Sequence, residues 1–359
     1  GKDEFLRLVE EEKKALSFQT VEIDTTAFDA PIPAPLVTAP KVTIEDVAAY
    51  EAWKKSNVIA QKQAGYVAIG IKVALGDFYT DKARVLADLI KNYGANELRF
   101  TLRQDILIRN IKEENLPFFY QELAQLDFVT LGYNTINDVT ACPGTDTCNL
   151  GIASSTGIAV ELERVLATEY PQYSNNQEIT IKISGCMNAC GQHNMAEIGF
   201  QGMSINSGKL VAPALQVLLG GGNLGNGLGR FSDKVIKIPS RRGPEALRLI
   251  LNDFEANANG QSFLNYYDAK GEKYFYEFLK PLADVTNLTE ADFVDWGNAD
   301  NYVKAVGVGE CAGVVIDLVA TLLVEAKDKL TFSQEALNEQ KWSDSIYLTY
   351  AGFVNAAKA

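Results

Sequence analysis

The sequence predicts an α+β protein: a mixed first unit, an α/β second unit, and a closing stretch that is helical only. Three observations carry this. Apolar residues alternate with polar or small ones, as in half-buried strands, at GYVAIGIKV, ELRFTLRQDILIRNI and EITIKIS. Between these runs, apolar residues recur at helical spacing. From residue 284 onward no strand pattern returns. A length of 359 residues at 47% hydrophobic and 22% charged composition is enough for two or three domains, each with its own core.

Four segments follow in order. Residues 1–44 are a helix and an extended linker: DEFLRLVEEEKKAL places Phe5, Leu8, Val9 and Leu16 at helical spacing, and four prolines then fall between 31 and 40. Residues 45–132 open a strand at Gly65. Thr80 is the expected cap of a helix with the stripe Val85, Leu86, Leu89, Ile90 and Tyr93, ended by Gly94. Two short strands and a helix over 114–126 complete a strand–helix–strand–strand–helix order, which resembles a ferredoxin-like half-domain. Residues 133–283 hold a helix around 155–167 burying Ile158, Leu162, Val165 and Leu166, the strand of Ile179, Ile181 and Ile183, and a glycine-rich loop at 218–230. Residues 284–359 read as a hairpin of two helices.

A net charge of −13 argues against a nucleic-acid binder and disfavours an anionic membrane surface. The apolar run at 312–324 contains Asp317 and is too short to span a bilayer, so no membrane association is expected. No signal-peptide pattern follows Gly1, which points to a cytoplasmic location and against a disulfide framework. Both ends read as cuts, since Gly1 stands where Met would and FVNAAKA ends without a cap; a piece of a longer polypeptide is expected. The one notable basic cluster, Lys234, Lys237, Arg241 and Arg242, reads as a solvated edge.

The chemistry sits in two cysteine pairs. Cys142 and Cys148 flank a Pro-Gly turn in TACPGTDTC, which folds the chain back. Cys186 and Cys190, in SGCMNAC, follow the Ile179–Ile183 strand; one helical turn would put both sulfurs on one face. Four thiolates are the ligand set of a cubane iron–sulfur cluster. Tetrahedral zinc uses the same set, although its pairs are usually separated by two to four residues, and buried inert thiols are the third reading. Cys311, beside an apolar run, reads as a packed thiol. His193, three residues past Cys190, reads as a hydrogen-bonding surface residue, with contact behind the ligands as the other reading. GNGLG lacks a full dinucleotide fingerprint and reads as a tight loop.

The pattern C-x5-C followed by G-C-x-N-x-C-G, with GCMNACGQHNMAEIGFQG around it and GYVAIGIKV…NELRFTLRQDILIRNI before it, resembles the sirohaem-dependent nitrite/sulfite reductase family. The likeness covers residues 1 to about 283 and matches the family's C-terminal, cofactor-carrying half; the helical C-terminal domain is extra. It implies a [4Fe-4S] cluster on Cys142, Cys148, Cys186 and Cys190, with Cys190 bridging to sirohaem and Asn188 and Gln104 against the macrocycle. It further implies reduction of sulfite to sulfide or nitrite to ammonia, and a ferredoxin-like or flavoprotein electron donor. In this family two homologous halves build one site, and most substrate-holding basic side chains come from the N-terminal half of the polypeptide. The present piece alone is therefore expected to be inactive, with catalytic residues unassigned and both cofactors potentially absent from it. The rival reading is a non-catalytic iron–sulfur or zinc module with a protein-interaction tail.

Overall fold

The computed structural model describes residues 1–16, 22–23, 31–208, 210–303 and 318–358, the side chains of 318–321 excepted. Cys311 and Asp317 lie outside the described residues. The chain opens with α1 (Lys2–Ala15), which buries none of its residues. After the prolines comes α2 (Val47–Asn57), where no helix is predicted; Asp46 caps it by accepting from the Ala49 N–H, and Tyr50 and Trp53 go into the core. Next are β1 (Val58–Ala60), β2 (Tyr66–Ile71), α3 (Thr80–Tyr93), β3 (Leu98–Phe100), β4 (Ile106–Lys112) and α4 (Leu116–Gln125). The four strands form an antiparallel sheet in the order β1-β2-β4-β3. Its isoleucines pack with Leu86, Leu89, Phe119 and Leu123 into one core, the arrangement expected of the half-domain. Thr80 turns out to be the first residue of α3; Tyr79 is the cap and supplies no side-chain bond.

The second unit comprises β5 (Thr140–Ala141), α5 (Ser155–Glu169), β6 (Ile181–Ser184), β7 (Ile198–Ser207), β8 (Leu210–Leu219), the pair β9 (Gly222–Gly225) and β10 (Leu228–Arg230), β11 (Asp233–Pro239), and α6 (Gly243–Asn257), α7 (Phe263–Lys270) and α8 (Glu272–Leu279). The main sheet runs β11-β8-β7-β6-β5. β5, β6 and β7 are parallel, whereas β8 and β11 pair antiparallel. Ala141 lies beside Ile183, so the chain leaves β5 and β6 at the same end of the sheet, the end where open parallel sheets place ligands. α5 buries Ile158, Leu162, Val165 and Leu166, as its stripe predicts. The glycine-rich run is a hairpin, turned by Asn226 and Gly227 at positive φ, dihedrals that favour these residue types.

The opening of the tail, expected to be helical only, is not. Residues 284–303 contain a short helical turn and a strand bridge, Val294 to Asn301, and pack on the second unit. The buried Asp295 carboxylate accepts from the Ser154 N–H at 2.7 Å, and Trp296 donates to the Ser240 carbonyl at 3.0 Å. Arg241 and Arg242 are committed here, not to solvent. Arg241 stacks 4.4 Å over Trp296 and donates to the Val294 carbonyl, while Arg242 donates to the Leu282 carbonyl. The tail closes with α9 (Leu318–Asn338) and α10 (Trp342–Lys358), an antiparallel hairpin. No described helix is long and apolar enough to cross a membrane.

Candidate functional site

The two cysteine loops leave neighbouring parallel strands and are tied together by backbone. Cys142 donates its N–H to the Ile183 carbonyl at 3.2 Å, which extends the β5–β6 ladder by one residue. Pro143 and the 3-10 turn Gly144–Asp146 then reverse the chain, and the Cys148 N–H closes on the Gly144 carbonyl at 3.0 Å. Gly185, just before Cys186, is the junction. Its carbonyl accepts from Ile152 N–H at 2.8 Å and Ala153 N–H at 3.1 Å, and its own N–H points at the Cys142 sulfur at 3.1 Å. N–H groups aimed at thiolate sulfur stabilise its negative charge, a standard means of tuning iron–sulfur centres.

Close backbone approach explains the glycines. A methyl on Gly191 would meet the Ile183 carbonyl oxygen at 1.9 Å, and one on Gly185 would meet the Gly144 Cα at 2.7 Å. The second pair is not built on a helical turn, as spacing alone predicts. After β6 the chain passes through successive turns, with Ala189 and Gln192 in the left-handed region at φ 59°. Cys186 is thereby buried while Cys190 is exposed; Cys142 and Cys148 are intermediate. Asn188 is exposed on the same turn. Among the described residues no three His, Cys, Asp or Glu side chains gather closely enough to hold a metal ion. A single zinc ion would need its sulfurs about 3.8 Å apart, from Zn–S bonds of about 2.3 Å in a tetrahedron; a cubane spreads its ligands wider.

A cavity of about 940 Å³ opens between the two units; Gln192 and Met195, which follow the Cys190 turn, line it, while none of the four cysteines does. Arg103, Asp105 and Tyr133 line one side, Lys182, Gln192 and Glu197 the other, and Gly222, Asn223 and Gly227 of the glycine hairpin form a rim. Lys182 donates to Gln192 Oε1 at 2.6 Å; burial, then Arg103, lowers its pKa. Gln104, at positive φ, does not line the cavity; its Oε1 accepts the Ala141 N–H at 3.1 Å, bracing β5 one residue before Cys142.

Buried polar groups also lie where the two units meet. Lys72 pairs with Glu163 at 3.1 Å and donates to the Asn137 carbonyl. Asp105 is fully buried, and its Oδ1 accepts the Val73 N–H at 2.8 Å. Burial, then Asp138, pushes its carboxyl far above the ordinary range. No donor among the described residues reaches its Oδ2. The same surroundings push Tyr133 up to about 12, burial first. His193, expected at the surface, is 3% exposed; burial, then Lys234, lowers it to about 4, and its Nδ1 has no hydrogen-bond partner among the described residues.

Sequence reasoning missed Lys182, Arg103, Asp105 and Asp138. Lys182 reads as an ordinary solvent-side residue of EITIKIS, and Arg103 stands unnoticed beside Gln104. Only the docking of the first unit on the second brings Arg103, Asp105 and Lys182 to one cavity.

Residues 59–126 match the model of the nitrite/sulfite reductase ferredoxin-like half domain, and residues 132–268 that of the nitrite and sulphite reductase 4Fe-4S domain. The chain is 26% identical over 233 residues to the assimilatory ferredoxin-dependent nitrite reductase of Haloferax mediterranei, a match covering 64% of this chain and 40% of that protein. It is 26% identical over 245 residues to sulfite reductase [ferredoxin] 1 of Mycolicibacterium paratuberculosis, covering 66% and 41%. The solved structure of the NirA protein of Mycobacterium tuberculosis superposes with a TM-score of 0.51 at 25% identity, covering 68% of this chain and 43% of that one. The chain thus spans less than half the length of these relatives. A [4Fe-4S] cluster and sirohaem are the cofactors that this domain and these relatives imply. The thiols fit, since four of them stand on two mutually bonded loops, and the cavity between the units presents Arg103 and Lys182 together with Asp105, Glu178 and Glu197.

Proposed function

Because this chain belongs to the nitrite/sulfite reductase family, through its ferredoxin-like half domain and its 4Fe-4S domain, we propose that it is the cofactor-carrying portion of an assimilatory-type reductase, one that reduces sulfite to sulfide or nitrite to ammonia by six electrons. The observation that supports this most is the junction at Gly185, which draws both cysteine loops to one end of the parallel strands.

When bound, the cluster and the sirohaem supply the path for single electrons from a ferredoxin-like or flavoprotein donor to the substrate anion. The chain's own residues do the rest. Cys142, Cys148, Cys186 and Cys190 would hold the cluster, and the Gly185 N–H, which donates to the Cys142 sulfur, would brace that ligand. Cys190, exposed on its turn, would serve both the cluster and the macrocycle, and Asn188 on the same turn would lie against the macrocycle. Gln104 acts at one remove, by fixing the strand that carries Cys142. Arg103 and Lys182 hold acidic groups in the cavity. This portion is inactive by itself, because the rest of the substrate site lies in the homologous half.

The test uses the full-length reductase. Cys190→Ser is expected to lose sirohaem absorption and viologen-driven turnover with sulfite and nitrite together, since serine is a poor ligand for soft iron. Cys311→Ser is expected to keep both. Full turnover in the Cys190 variant sinks the reading.

A further inference from the structure

The hairpin of α9 and α10 is packed in an unusual sense. Among the described side chains the most buried residues of its seam are small, Ala326, Ser333 and Ala336 on α9 and Ser345 and Gly352 on α10, with one edge of Leu330 against Gly352. Ser333 donates to the Ser345 carbonyl at 2.9 Å and lies 2.7 Å from Thr349 Oγ1. A methyl on Gly352 would stand 3.2 Å from the Ala326 carbonyl oxygen, so the helices are nearly in backbone contact. The large apolar side chains are left outside. On α10, Trp342, Ile346, Tyr350 and Phe353 recur every three or four positions and are 59–72% exposed. On α9, Leu323, Leu330 and Leu337 recur every seven and are 41–50% exposed.

These two stripes share one side of the hairpin. Leu330 and Leu337 each follow a seam residue by four positions, whereas Ile346, Tyr350 and Phe353 each follow one by a single position. Both offsets rotate in the same sense about the helix axis. In an antiparallel pair, equal senses bring the stripes to the same face.

We infer that this face is a self-association surface, on which the hairpin of a second copy of the chain docks to form a four-helix bundle about a two-fold axis. Area and charge both select that occupant. Aromatic side chains offer about 150–250 Å² each, so three at roughly two-thirds exposure with one isoleucine and three half-exposed leucines give about 700 Å² per copy. That is more than the roughly 300–600 Å² of the largest apolar patch on an ordinary monomer. Doubled, about 1,400 Å² falls within the range of stable interfaces, about 1,200–2,000 Å². Residues 342–358 carry only Asp344 and Lys358, while the chain as a whole carries −13. Two copies repel each other elsewhere, yet they can join this nearly uncharged face without setting like charges together. Burying the stripes also supplies the apolar contact that the hairpin's own seam lacks.

Sedimentation of the intact chain at micromolar concentration should give twice 39.3 kDa. Tyr350→Glu/Phe353→Glu should sediment as a monomer with unchanged helical circular dichroism. Tyr350→Ala/Phe353→Ala, which spares folding if the double glutamate does not, should weaken the dimer at least roughly tenfold, about 1.4 kcal/mol. Val160→Glu, on the exposed side of α5, should leave it intact. A monomeric wild type overturns the inference. So does a dimer that both stripe variants leave undiminished, and so does protection of the stripe by α1, whose Phe5 and Leu8 also face outward.

Discussion

Gly185→Ala tests how the two cysteine loops are joined. The added methyl would lie 2.7 Å from the Gly144 Cα and 2.8 Å from the Ala153 carbonyl oxygen, both backbone atoms that cannot swing aside. The 142–153 loop must move away by several tenths of an ångström. Overpacking of this kind costs about 1–3 kcal/mol. The movement also stretches the bonds from Ile152 N–H and Ala153 N–H to Gly185, each worth about 1 kcal/mol. A loss of about 2–4 kcal/mol is therefore expected in urea unfolding of the metal-free chain. Iron uptake should fall further than stability does, because the loop that moves carries Cys142 and Cys148. Gly229→Ala is the control, since its methyl would meet only the Gly222 carbonyl oxygen, at 3.3 Å, and should cost little. Wild-type stability together with wild-type iron uptake in the Gly185 variant would refute the junction.

Three further outcomes follow from the buried charges. Asp105 binds its proton more tightly when folded than unfolded, so it subtracts stability as pH climbs above the ordinary carboxylate range; Asp105→Asn should flatten that fall, by up to about 1.4 kcal/mol per pH unit, in urea unfolding at pH about 5 and about 8. An unchanged slope contradicts the assignment. His193 has the opposite sense: lowered to about 4 in the fold, it costs stability as pH drops below its unfolded value, so about 2 kcal/mol should disappear between pH about 7 and 5, and His193→Gln should abolish that loss. Glu163→Ala, which strands the largely buried Lys72, should destabilise by about 3 kcal/mol, whereas Glu163→Gln keeps a partner for the Val139 N–H and should cost less; a Gln variant as stable as the wild type would exclude an ionic role.

Local features were legible where one local signal decides them. The α5 stripe, the Pro-Gly reversal at Cys142 and the Ile181–Ile183 strand all depend on neighbours within a few residues. The α2 helix was hidden by the proline run before it, although Asp46 with Tyr50 and Trp53 spaced three apart carries a cap and an apolar face. Cys186 and Cys190 fit a helical turn by spacing, but Ala189 takes a left-handed conformation that only the packing of Gly191 on Ile183 explains. His193 owes its character to packing within the second unit, near Lys234, and Lys182 and Asp105 owe theirs to the docking of one unit on the other. No periodicity within either unit records that contact. The segment around Asp295 and Trp296 is likewise explained only by Ser154, Ser240 and Arg241, each more than fifty positions away.

The central claim is that Cys142, Cys148, Cys186 and Cys190 hold one [4Fe-4S] cluster. Its most direct measurement is anaerobic reconstitution of the chain with iron and sulfide, followed by iron analysis and Mössbauer spectroscopy of the wild type and of five single Cys→Ser variants. The wild type should take up about four iron atoms in a cubane environment. Serine at any of those four positions should abolish the cluster or change its spectrum, and Cys311→Ser should leave it unaltered. Stoichiometric zinc in preference to iron, a native cluster in any of the four variants, or loss of iron in the Cys311 variant would contradict the claim.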